Sequence, residues 1–119
     1  PYQDVDTPCQ DAAVICRLEN YQQRLTEFER KSALISGPVL AGMDVYEDFY
    51  AYRAGIYRQA SGAFEGTHAV CVIGYNDAGG YWIAKNSWNG DWGEDGFFRI
   101  AYGECRIDSS FPFYSIELE

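Results

Sequence analysis

Residues 67–88 read Thr-His-Ala-Val-Cys-Val-Ile-Gly-Tyr-Asn-Asp-Ala-Gly-Gly-Tyr-Trp-Ile-Ala-Lys-Asn-Ser-Trp. His68 to Tyr75 is an apolar, β-branched run, Asn76 to Gly80 is a strong turn, and Tyr81 to Asn86 is a second run, so the stretch predicts a β-hairpin. If Tyr75 sits opposite Tyr81 across the five-residue turn, His68 falls opposite Trp88 and Asn86 lies one diagonal step away. Side chains alternate faces along a strand, so His68, Asn86 and Trp88 share a face in this register. Diagonal neighbours lie roughly 7–8 Å apart at the backbone, which long side chains bridge. The only histidine of the chain is thereby expected to meet the Asn86 amide beside an indole. Cys71 has the opposite parity and points away from His68, which makes it a poor nucleophile and a core or disulfide residue. Taken singly, a strand histidine is more often a packing residue and an Asn-Ser pair more often a turn.

Outward from the hairpin, Thr26-Glu27-Phe28-Glu29 has the spacing of a capping box, with Thr26 as N-cap. The helix it starts runs to about Ile35 and stops at Gly37-Pro38. Val39 to Met43 reads as a short strand. Asp44-Val45-Tyr46-Glu47 offers a second capping box for a short helix ending near Gly55, with Phe49, Tyr52 and Ile56 facing a core at helical spacing. Phe97 to Tyr102 and Phe113 to Leu118 are further strands, with glycine turns at Gly90, Gly93 and Gly96. Residues 1–20 look turn-rich. The expected fold class is α+β: a mostly antiparallel, barrel-like sheet with one or two short helices.

The 119 residues suit one domain. At 47% hydrophobic and 17% aromatic, the composition is that of a folded chain. A net charge of -9 argues against nucleic acid and anionic membrane as partners. Cys9, Cys16, Cys71 and Cys105 allow three pairings; proximity favours Cys9–Cys16, which would leave Cys71–Cys105. An even cysteine count leans toward an oxidising compartment, while reduced buried thiols remain the alternative. With one histidine and no Cys-x-x-Cys pair, neither a metal site nor a cofactor is expected.

Further pieces then fall in order: Pro1-Tyr2 followed by Cys9; Gly37-Pro38-Val39; Phe49, Tyr52, Gly55, Ile56 and Tyr57; Thr67-His68-Ala69-Val70 with Gly74-Tyr75; Tyr81-Trp82-Ile83-Ala84-Lys85-Asn86-Ser87-Trp88; and Trp92-Gly93-Glu94-Asp95-Gly96-Phe97-Phe98-Arg99-Ile100. In this order and spacing they resemble the C-terminal, β-rich half of the papain and cathepsin type of cysteine peptidase. The resemblance implies that 1–119 is one right-hand domain, with His68 and Asn86 as catalytic residues and Trp88 and Trp92 as their support. It implies that Gly42, Gly66, Thr67, Ala69 and Ser110 bind substrate, the small residues suggesting a roomy apolar pocket. The Cys-bearing N-terminal half, with the nucleophile and an oxyanion glutamine, has no counterpart here. That half would be the partner, peptide or protein the substrate, and a secreted or lysosome-like compartment the setting. The opening at Pro1 rather than Met fits a missing upstream segment. Asn89 stands where the family has Gly, and the usual cysteine ahead of the histidine motif is missing.

Three functions compete. A half-enzyme uses the His68, Asn86 and Trp88 constellation; a catalytically inactive binding module of the same fold has no chemical need for it; a small acidic structural domain held by disulfides leaves it a coincidence.

Overall fold

The computed structural model describes residues 18–118, with side chains described from 21 to 115. Expectations for Pro1-Tyr2 and for a Cys9–Cys16 pair lie outside that range. The elements are β1 (Leu18–Arg24), α1 (Glu27–Ser36), β2 (Val39–Tyr46), α2 (Glu47–Tyr50), β3 (Ile56–Tyr57), β4 (Phe64–Asn76), β5 (Tyr81–Lys85), β6 (Phe97–Ala101) and β7 (Phe113–Leu118). The strands form one open sheet in the order β1-β7-β2-β4-β5-β6-β3, antiparallel except for the β3–β6 pair. The class is α+β, as expected, but the sheet is open and mixed. The chain from Leu18 is strand rather than turn, paired with β7 along its length. No helix among the described residues is long and apolar enough to cross a membrane.

Helix α1 begins as its sequence dictates. The Thr26 hydroxyl accepts from Glu29 N (3.1 Å), and Glu29 Oε1 accepts from Thr26 N (3.2 Å) and Leu25 N (2.9 Å). Gly37 ends it at φ 147°, a conformation open to a residue without a Cβ. Lys31 ties the helix to the hairpin. Its ammonium pairs with Glu27 and Asp77 and lies 5.2 and 5.0 Å from the rings of Tyr75 and Tyr102. Thr26→Ala should cost about 1 kcal/mol in denaturant melts; an unchanged midpoint would mean that packing alone holds this helix end.

The second capping box does not form. Strand β2 continues through Asp44 to Tyr46, because its backbone pairs with β4 over the whole length, Asp44 lying opposite Thr67. Tyr46 takes the N-cap position of α2 without a side-chain bond, and α2 is a single turn. The Asp44 carboxylate instead bonds Arg106. Since α2 ends at Tyr50, helical spacing fails beyond it. Phe49 and Tyr52 are buried, but Ile56 is 37% exposed and Tyr57, next along strand β3, turns inward at 6%.

In the hairpin, Asn76 pairs with Tyr81 and Tyr75 with Trp82, one step from the expected register. A bulge at Ile73, between Val72 and Gly74, then takes up the extra residue. Beyond it Val72 faces Ala84 and Cys71 faces Lys85, so the end of the hairpin nearest His68 lies in the register expected from sequence. The core gathers Met43, Val70, Val72, Trp82, Ala84, Phe98, Ile100 and Phe113.

The turn before β6 is closed by Glu94, whose carboxylate accepts from Arg99 Nε (3.1 Å) and Nη2 (2.6 Å) and from Gly55 N (3.0 Å). The Arg99 bonds, ahead of the backbone donor, hold this carboxyl below its ordinary 4.5. A depressed folded-state pKa means that stability from this group is present above the ordinary value and lost as pH falls through the depressed one. Glu94→Gln should therefore shrink the stability difference between pH 7 and pH 3 in urea titrations; an unaltered difference would remove Glu94 from the acid response.

Candidate active site

Strand β4 carries His68, and Asn86 follows directly on the last residue of β5. The backbone there is fixed by Asn86 N donating to Gly96 O at 2.9 Å. Asn86 is 1% exposed, and its Oδ1 lies 2.8 Å from His68 Nε2. The same oxygen accepts from Ser87 N at 2.7 Å. That second bond settles the direction of the first. A backbone N–H only donates, so the atom facing it is the amide oxygen, and His68 Nε2 must then be the protonated nitrogen. Nδ1 of the neutral ring is left with a free lone pair.

The Trp88 ring stacks near the imidazole, with centroids 5.4 Å apart at 26°. Tyr50 stacks in turn on Trp88 at 5.1 Å and 11°. Trp92 meets Trp88 edge-on at 5.1 Å and is anchored by Nε1 donating to Phe49 O at 3.0 Å. The rings stand beside the His68–Asn86 bond, whose Asn86 end is buried. All four residues singled out for catalysis and its support thus come together.

Beside His68 an open cavity of about 360 Å³ is lined by Gly42, Thr67 and Ala69, with walls from Leu40, Phe111 and Tyr114. Gly66 and Ser110 are not among its lining residues. The cavity is apolar, and the Phe111 ring lies against Gly42 on one side of it: a Cβ there would meet the ring at 3.4 Å. Phe111, Tyr114 and Tyr50 escape sequence reading. Phe111 follows two serines with no periodicity to mark it, and Tyr50 falls off the spacing of Phe49 and Tyr52.

Neither described thiol suits a nucleophile. Burial pushes the Cys71 thiol up, and burial together with Glu104 pushes Cys105 up to about 12. An activated cysteine is shifted down. Both are free, so the Cys71–Cys105 pair left by elimination does not form. Cys71 lies mid-strand between Leu40 and Lys85, whereas Cys105 is buried in the 104–106 turn. No group of His, Cys, Asp and Glu among the described residues can hold a metal ion.

A model described as papain family cysteine protease matches residues 1–114. The chain belongs to that family. It is 51% identical over 92 residues to a cathepsin B-like cysteine proteinase 1 of Ostertagia ostertagi, covering 74% of this chain and 27% of that protein. It is 46% identical over 83 residues to a cathepsin B-like cysteine proteinase 3 of the same organism, covering 66% and 48%. Among solved structures, proCathepsin B S9 from Trypanosoma congolense superposes with a TM-score of 0.77 at 33% identity, over 87% of this chain and 37% of that one. The bromelain protease from Ananas comosus gives 0.68 at 30%, over 86% and 51%. Against the cathepsin B-like relatives, the aligned part is about a quarter to a half of the whole protein.

Proposed function

We propose that these residues are the histidine- and asparagine-bearing half of a cysteine peptidase, whose nucleophilic cysteine comes from an N-terminal half, on the same polypeptide or on another chain. The observation that carries the reading is the 2.8 Å contact of His68 Nε2 with an Asn86 oxygen that Ser87 N also donates to, which makes Nε2 the donor of that bond. In that state His68 Nδ1 is the basic atom, and it takes the proton of a thiol brought against it. The resulting thiolate attacks the carbonyl carbon of a peptide. The imidazolium then gives its proton to the leaving amine, and water hydrolyses the thioester with the same histidine as base. Asn86 holds the ring through both transfers without exchanging a proton itself. Trp88 and Trp92 keep water from the bond, and Gly42, Thr67 and Ala69 receive a substrate side chain; Gly66 and Ser110 stand next to the lining residues Thr67 and Phe111 in the chain. Residues 1–119 act as one right-hand domain on this reading, in a secreted or lysosome-like setting.

Native mass spectrometry of the purified protein with a thiol-directed active-site label tests this. A second chain or segment that travels with the 119 residues and takes the label is expected. A lone, unlabelled 13.5 kDa species would favour the inactive binding module. In the assembled enzyme, Asn86→Ala should lower kcat on the order of 10- to 100-fold, the range for a residue that orients another's ring. A loss as complete as that of the histidine would give Asn86 a larger part.

A further inference from the structure

Beyond the cavity, the strand face that carries Gly42 continues to Asp44, and there the chain departs from what its sequence patterns predict. Asp44 is a carboxylate with 5% side-chain exposure in the middle of a strand. Its oxygens accept from Arg106 Nε (2.6 Å) and Nη2 (2.9 Å), a bidentate pair. Arg106 and its neighbour Cys105 both stand at positive φ, 59° and 52°, a conformation that residues with a Cβ seldom adopt. The strained turn delivers the guanidinium to two places at once: onto the buried carboxylate, and over the Phe111 ring, 4.9 Å from its centroid. Phe111 is held a second time at its backbone, where the buried Arg30 donates Nη2 to its carbonyl oxygen at 3.1 Å. The ring so held is the wall that lies against Gly42 in the cavity beside His68.

We infer that Arg106, anchored by Asp44, is a positioning residue that fixes the Phe111 wall and so sets which apolar side chain of a peptide substrate the cavity admits. This rests on the peptidase reading above. A planar guanidinium bonded to a carboxylate can keep both that pair and its place over an aromatic ring, whereas a point-charge ammonium gives up the bidentate pair. The wall is therefore held better with arginine at this position than with lysine. Loosening it lets the ring swing from Gly42 and the cavity take a larger side chain.

The test uses the complete enzyme, both halves present, and two peptide substrates that differ only in carrying valine or phenylalanine at the residue entering the cavity. Phe111→Ala should raise the phenylalanine-to-valine ratio of kcat/KM about tenfold, on the order of the discrimination an apolar pocket achieves. Arg106→Lys, which keeps the charge facing Asp44, should move the ratio the same way by at least about threefold, chiefly through KM of the phenylalanine peptide. Added to Phe111→Ala it should change the ratio no further, because its effect passes through the ring. An unchanged ratio in Arg106→Lys, or an equal fall for both peptides, overturns the positioning role and leaves a structural ion pair. Additive effects in the double variant also overturn it. Should Arg106→Lys fail to fold, Asp44→Asn with Arg106→Gln keeps a hydrogen bond without burying a charge and is held to the same ratio. If the unmodified enzyme cleaves neither peptide, the peptidase reading falls and takes this inference with it; cleavage with an insensitive ratio sinks the inference alone.

Discussion

His68→Ala in the assembled enzyme is expected to lower kcat/KM by about 10⁴-fold or more while leaving the fold in place. Both halves of that expectation come from the hydrogen bonds of one oxygen. The loss is large because, on the proposed mechanism, the substitution removes the base that makes the thiolate and the acid that releases the amine, two duties of one group. It costs little stability because Asn86 Oδ1 keeps the Ser87 N–H when the imidazole is gone, so no buried acceptor is orphaned. His68 is itself only partly buried, at the rim of the cavity. The measurement is the rate of thiol labelling and of peptide hydrolysis, beside a thermal melt. Residues that act as a unit are non-additive, so His68→Ala with Asn86→Ala should be no slower than His68→Ala alone. Retained hydrolysis with a normal melt would end the assignment of His68 as the base, and a peptide-binding affinity untouched by the substitution, with no hydrolysis in the unmodified protein either, would point to the binding module.

The hairpin shows what a sequence read residue by residue does and does not carry. Strand alternation predicts His68, Asn86 and Trp88 on one face, and the three do meet, although β5 ends at Lys85 and Asn86 and Trp88 lie in the irregular segment after it. Which residues face each other across the turn does not follow from alternation, because a bulge changes the count. Ile73 bulges, so the pairing beside the turn is one step from the simple expectation while the pairing beside the site agrees with it. The same limit explains Asp44. Its side chain meets the local pattern of a helix cap, but β2 has β4 alongside it, and a full ladder of backbone hydrogen bonds outweighs one cap. Its actual partner, Arg106, is 62 positions along the chain and reaches it through a turn in which Gly103 and then the non-glycine Cys105 and Arg106 stand at positive φ. Phe111 was hidden for a related reason: its ring lies under Arg106, whose own partner Asp44 is distant, and its carbonyl oxygen accepts from Arg30, 81 positions away. Local signals, by contrast, read true where nothing distant competes. The Thr26–Glu29 box is complete within four residues and forms as written. The disulfide left by elimination failed because elimination says nothing about where two cysteines lie, and Cys105 is folded into a turn while Cys71 sits mid-strand.

Phe49→Ala should destabilise the protein by about 3–5 kcal/mol and slow the labelling of the assembled enzyme beyond what the unfolded fraction explains. Phe49 is fully buried, and its ring lies 4.8 Å from that of Trp92, 5.0 Å from those of Tyr57 and Phe98, and 5.5 Å from that of Trp88. Removing a buried phenylalanine loses both its transfer free energy and the contacts around the space it leaves. Against a typical total of roughly 5–15 kcal/mol, that is a large share. The consequence for the site follows from what the ring supports. Trp88, which stacks near His68, rests on Phe49 and Trp92, and Trp92 is tied to the backbone oxygen of Phe49 itself. With the ring gone the two indoles lose their floor, water gains access to the His68–Asn86 bond, and the imidazole is held less firmly in the orientation that proton transfer needs. Phe49→Leu separates the two effects. It keeps most of the buried volume, so the melt should recover most of the loss, while a flat indole packs less well on a branched aliphatic chain and labelling should stay slower than in the unmodified enzyme. Should labelling instead recover in step with stability, the cluster serves the core alone, and the cover over His68 depends on Trp88 and Tyr50 without help from beneath.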